Sequence, residues 1–191
     1  MSEHSESGTT RPVDELIEEL ASEDPLICHA ARRELTRFGR SVVPQLRDLL
    51  RSPSEHVRWE AAKVLGGIGG MDGMDALANA LPDPSSDVRW AAVEGLIEGK
   101  EKAYHPVLHQ LVIHSSNVGV RDAAAHIFAS VVREEHSAFL RPVLRALRGR
   151  APVFEVSLAA YQALTTYHRT QARLENFSSW RAEKSAAVSD D

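Results

Sequence analysis

The chain repeats itself. Three segments, Glu55–Leu65, Ser86–Leu96 and Val118–Phe128, align on the pattern Val-Arg-x-x-Ala, with Val-Arg pairs at 57/58, 88/89 and 120/121. A looser copy, Pro25–Leu35, lies 30 residues upstream, and another, Phe154–Leu164, lies 36 residues downstream. A period near 30 residues is the length of one supersecondary unit. Such a unit cannot bury its apolar face alone and has to stack on its neighbours, so the period restricts the chain to repeat architectures.

A second element recurs between these copies. Val43–Leu50, Asp75–Leu81, His105–Leu111 and Arg141–Leu147 share apolar positions at i, i+3, and Pro44, Pro106 and Pro142 fall at equivalent places. Proline suits a first helical turn, where the missing N–H has no partner to lose. The linkers Ser52-Pro-Ser54, Pro82-Asp-Pro-Ser-Ser86 and Gly149-Arg-Ala-Pro152 act as stop and start signals, as do Gly39 and Gly66 to Gly70. The extra length of the last step is assigned to the polar stretch Arg133–His136. Each unit therefore reads helix A, short turn, helix B.

This pattern resembles the HEAT-like repeats known from phycobilisome lyases, which run roughly D-P-x-x-V-R-x-A-A-x-A-L-G-x-I-G and then a short Pro-containing helix. The likeness spans about residues 12–165 and is strongest over 52–97. The first and last copies depart from it, with Cys28 and Ser157 in the arginine column. The resemblance implies an all-α fold, a right-handed α-α superhelix of about five helix pairs with a C-terminal capping helix. The expected units are 12–39, 41–70, 73–99, 103–133 and 137–182, in one solenoid over 12–182 with tails at 1–11 and 183–191. Tyr161, Leu164, Tyr167 and Leu174 supply the apolar positions of the helix that closes the stack. The repeat itself says little about function, since one fold serves many.

Helical geometry divides the side chains. With Val57 at 0° and about 100° per residue, Ala61, Val64, Leu65 and Ile68 gather on the side of Val57 and form the stripe facing helix A. Trp59 and Lys63 point elsewhere, with His56 at the first turn. The same arithmetic turns Trp90 and Glu94, Asp122 and His126, and His29 and Arg33 outward. One row then reads His29, Trp59, Trp90, Asp122, Leu158, and its neighbour Arg33, Lys63, Glu94, His126, Gln162. In designed binders similar to this repeat, the corresponding positions form the binding face. Two tryptophans in register make an apolar anchor of the kind that dominates interfaces. Against that stands the bland reading that both indoles fill gaps between repeats. Arg58, Arg89 and Arg121 are assigned a structural role, paired with turn acids such as Asp83 and Asp87.

Charge narrows the partner. The net charge is −5, but residues 1–99 carry 10 basic and 18 acidic side chains, for −8, and residues 100–191 carry 12 and 9, for +3. An acidic first half argues against nucleic acid. Arg141, Arg145 and Arg148 share a helix face, which is either a solvated surface or a patch for an acidic partner. No apolar run reaches the ~20 residues of a membrane span. The single Cys28 excludes an internal disulfide and fits a reducing, cytoplasmic compartment.

Searches for chemistry return little. Gly66–Gly70 follows a helix and so does not form a phosphate cradle. No Cys-His pair stands at a usable spacing, and the His105/His109 pair has no acid to complete a metal site. The expectation is therefore no catalytic residue, no metal and no cofactor. The leading functional reading is a non-enzymatic adaptor that binds a protein on its B-helix face. The alternative is a nucleic-acid-processing or lyase-type enzyme on the same scaffold, resembling alkylpurine DNA glycosylases or bilin lyases.

Overall fold

A computed structural model describes residues 11–149 and 153–189. The expected N-terminal tail lies outside the described residues except for Arg11. That residue is tied down by ion pairs to Glu19 at 2.6 Å and Glu34 at 3.0 Å. Among the described residues every regular element is a helix, and none is long and apolar enough to cross a membrane. The expectation is one domain over 12–182; the contacts group into two compact units, Met1–Gly99 and Lys100–Asp191.

The first unit holds three helix pairs. These are α1 (Val13–Glu19) with α2 (Pro25–Phe38), α3 (Val43–Leu49) with α4 (Glu55–Ile68), and α5 (Gly70–Ala78) with α6 (Ser86–Glu98). The B helices stack α2 on α4 on α6, each backed by its own A helix. Leu16, Leu35, Leu46, Leu65, Leu77 and Leu96 are fully buried along the seam.

The repeat's polar residues explain its spacing. Each B helix starts on a capping side chain, Asp24, Ser54 or Ser85, that accepts a hydrogen bond from a backbone N–H of the first turn. Such caps satisfy donors that helix geometry leaves orphaned. Three residues after Ser54 and Ser85 come Val57 and Val88, which enter the core, and then the arginine. Arg58 donates to the carbonyls of Ser52 and Pro53, and Arg89 to those of Asp83 and Pro84. Each arginine thus closes the turn that precedes its own helix. Arg58 also makes a two-pronged bond to Asp83, at 2.8 and 3.1 Å, which links one turn to the next. Both partners are largely buried, and the Asp83 hydrogen bonds raise the guanidinium pKa. The structural role expected for Arg58 and Asp83 is what the geometry shows.

The second unit follows a different plan. After a 3-10 turn (Lys100–Ala103) come α7 (Tyr104–Ile113), α8 (Val118–Val131), α9 (Glu134–Arg148) and α10 (Val153–Ser189). Asn117 caps α8 as Ser54 and Ser85 cap theirs. Buried Tyr104 donates its hydroxyl to the Val131 carbonyl at 2.9 Å, locking α7 to the end of α8. Three expectations are corrected here. Arg133–His136 is not simply a linker, because α9 begins at Glu134; Pro142 therefore sits inside that helix rather than in its first turn. Proline is tolerated there because Pro142 and Ala138, whose carbonyl loses its usual donor, are both exposed. The fifth B helix and the capping helix are one continuous helix, which also runs through 183–189, expected as tail. Finally, α10 packs chiefly along α7 and α9, and Ser157 donates to the Val112 carbonyl of α7 at 3.2 Å. Leu158 and Gln162 therefore sit on a helix whose main neighbours are not the B helix before it.

The tightest approach in the first unit lies between α4 and α6. A Cβ built on Gly95 would stand 2.9 Å from the backbone Cα of Gly66 and 2.7 Å from Leu77 Cδ1. The two effects of adding that methyl oppose each other. Alanine in a helix interior gains up to about 1 kcal/mol over glycine, whereas forcing a methyl into a close-packed contact costs about 1–3 kcal/mol. Because one obstacle is backbone, which cannot swing aside, packing wins. Gly95→Ala is expected to lower stability by about 1–2 kcal/mol in urea denaturation. A gain in stability would show that α4 and α6 do not meet at these glycines.

Candidate functional site

The outward side chains of the first unit assemble around that contact. Trp90, on the second turn of α6, is 54% exposed. Its indole N–H donates to Glu94 Oε1 at 3.1 Å, one helical turn on. The other Glu94 oxygen accepts from Lys63 Nζ of α4 at 3.0 Å. Lys63 and Glu94, expected as independent charged positions, therefore neutralise each other across the helix seam, and Glu94 also holds the indole N–H.

Trp59 is in a different state. It is half-buried, and the guanidinium of Arg32 lies 5.4 Å from its ring centroid, close enough for a cation–π attraction. One face of this indole is already covered by α2. Beside it opens a cleft of about 390 Å³ lined by Glu55, His56, Trp59 and Asp87. His29 and Arg33 are exposed on α2. Asp122 and His126 are exposed on α8, and Arg141, Arg145 and Arg148 on α9; these five belong to the second unit.

Beneath the surface row lies a cluster that sequence reasoning missed. Glu60 is 2% exposed and forms an ion pair with Arg32, Nε to Oε2 at 3.0 Å. The pair is not aligned for a hydrogen bond at those two atoms. Burial raises the Glu60 pKa, opposed by the charge of Arg32. Cys28 Sγ lies 3.6 Å from His56 Nε2, which corrects the expectation that no Cys-His pair meets. The thiol donates to the Ser22 carbonyl at 2.8 Å, and its pKa is raised, first by burial and then by the charge of Glu60. Cys28, His56 and Glu60 bring one potential ligand atom each within 4.8 Å of one another, a grouping that the expectation of no metal site did not foresee.

The signals for this cluster were present as departures from the repeat. Glu60 stands where Ala91 and Ala123 stand in the next copies, and Cys28 stands in the arginine column. Cys28 bonds the carbonyl six residues back, as Arg58 and Arg89 do.

A family model of HEAT repeats matches residues 13–96 and again 74–165. The chain belongs to the HEAT-repeat family. The two matches overlap, as expected when one repeating unit can be aligned in more than one register, and together they span both units. No curated protein sequence matches the chain. In this HEAT-repeat protein the matched segment contains all the outward positions of the first unit.

The two tryptophans are expected to differ in what they contribute to folding. Trp90→Ala should change stability by less than about 0.5 kcal/mol, as surface substitutions do. Trp59→Ala should cost roughly 1–2 kcal/mol through lost packing and the lost cation–π contact. Urea denaturation of the two variants checks this, and equal costs would contradict the assignment of one indole to the surface and one to the seam.

Proposed function

We propose that this protein is a non-catalytic, cytoplasmic adaptor that holds a segment of a partner protein against the outward side chains of α2, α4 and α6. The observation that carries the reading is Trp90, a large aromatic more than half exposed and held in one place by Glu94. A pre-positioned aromatic gives contact area without the entropy cost of ordering it on binding. HEAT repeats serve widely as protein-interaction scaffolds, which supports the same reading.

The chemistry of the cleft suggests what the partner brings. Glu55 and Asp87 line it together with Trp59 and His56, and residues 1–99 carry −8. A segment with an apolar side chain for Trp90 and a lysine or arginine for the cleft is complementary to both. His29, Arg33, Lys63 and Glu94 flank the contact and set its register. In the second unit, Asp122 and His126 are outward positions of the same repeat. Arg141, Arg145 and Arg148 carry the opposite charge there and would take an acidic segment.

A photo-crosslinking amino acid in place of Trp90, introduced in the native host, identifies what touches the position. The affinity of the captured partner is then measured against variants of the purified chain. Trp90→Ala is expected to weaken binding at least about 30-fold, the loss of an interfacial hot spot of 2 kcal/mol or more. Asp87→Lys should weaken it further. Unchanged affinity in Trp90→Ala removes the reading. Titration with duplex DNA gives the enzyme alternative its chance: tight binding that falls steeply with salt would favour a nucleic-acid-processing function instead.

A further inference from the structure

We infer that the pocket between α2 and α4 formed by Cys28, His56 and Glu60 is a binding site for a thiophilic divalent cation of the zinc class. The residue types come first. A thiolate, an imidazole and a carboxylate are the three side-chain ligands that Zn²⁺ accepts, and mixed sets with a fourth position left to water are common. His56 and Glu60 are one helical turn apart on α4, so both face α2, and Cys28 reaches them from the first turn of α2.

The Cys28–His56 distance agrees with coordination. With metal–sulfur and metal–nitrogen bonds of about 2.3 and 2.0–2.1 Å at a tetrahedral angle, the sulfur and nitrogen stand about 3.5 Å apart. Cys28 Sγ and His56 Nε2 are 3.6 Å apart. The third ligand atom lies within 4.8 Å of both. Glu60 is buried; its Oε2 lies 3.0 Å from Arg32 Nε without an aligned hydrogen bond, and its Oε1 accepts from Arg32 Nη2 at 3.4 Å. Its second oxygen can stay with Arg32, which then orients the carboxylate as an outer partner orients a metal ligand.

The repeat supplies an independent argument. In the next two copies the position of Cys28 holds an arginine whose guanidinium closes the preceding turn. In the first copy that fixed cation is absent, and the thiol bonds the equivalent carbonyl of Ser22. His56 Nε2 lies 3.2 Å from the same oxygen. A metal ion would restore positive charge at the place where the other repeats carry it. Binding converts the Cys28 thiol to a metal-bound thiolate and releases one proton to solvent; nothing is oxidised or reduced.

The test is a titration of the purified full chain, freed of metal by a chelator, with Co²⁺ and then Zn²⁺ and with no partner present. One ion per chain is expected, with a near-ultraviolet sulfur-to-cobalt charge-transfer band that Zn²⁺ abolishes. Cys28→Ser should lose the band, and His56→Gln and Glu60→Gln should weaken binding, the histidine variant at least about 100-fold. His105→Gln, at a separate histidine cluster, should titrate like the unaltered chain. His56 is exposed, so its variant keeps the fold even if Cys28→Ser or Glu60→Gln does not, and circular dichroism verifies that. Absence of the charge-transfer band, or an unaltered titration in His56→Gln, overturns the site. The partner-binding reading is untouched by either result, because the titration involves no partner.

Discussion

The backbones of α4 and α6 meet at Gly66 and Gly95, where a side chain on Gly95 has no room and one on Gly66 would be tight. Much else in the first unit follows from that approach. It brings Lys63 of one repeat within 3.0 Å of Glu94 of the next, and the same Glu94 accepts the indole N–H of Trp90. At the other end of the same helix pair, Glu55, His56 and Trp59 of one repeat and Asp87 of the next line a cleft. Close helix packing therefore determines both the core and the exposed face.

A second constraint runs along the turns. Arg58 and Arg89 each bond the two carbonyls that precede their own helix, and Arg58 reaches on to Asp83. In the second and third copies an arginine meets the need of turn carbonyls that no helix uses. The first copy meets the need with a thiol and a neighbouring imidazole. That substitution departs from the pattern of the next two copies, and the titratable side chains Cys28, His56 and Glu60 gather there.

How much could be read from the sequence depended on range. The helix pairs and the inward valines were legible because capping residues and apolar periodicity act within a turn or two of chain. Although only Arg58 pairs with a turn acid, Asp83, the structural role of Arg58 and Arg89 was legible because it repeats. Contacts between helices were not. Nothing local distinguishes Cys28 from an ordinary buried cysteine, since His56 is 28 residues away in sequence and arrives only when α2 stacks on α4. The partner of Glu60, Arg32, lies 28 residues away in sequence and could not be named from phase angles alone. The start of α9 was misplaced because Pro142 resembles Pro44 and Pro106, and a proline marks a first turn only when its helix has nowhere earlier to begin. The phase argument placed Trp59 and Trp90 alike, whereas Arg32 covers one of them and Glu94 leaves the other exposed.

The central claim is that Trp90 is a solvent-facing anchor prepared for a partner. Fluorescence of a chain carrying Trp59→Phe and Trp180→Phe, so that Trp90 is the only indole, measures this directly. Red-shifted emission readily quenched by acrylamide is expected in the free protein, with a blue shift and protection once the crosslink-identified partner segment is added. Blue, poorly quenched emission from the free protein would mean that Trp90 belongs to the core.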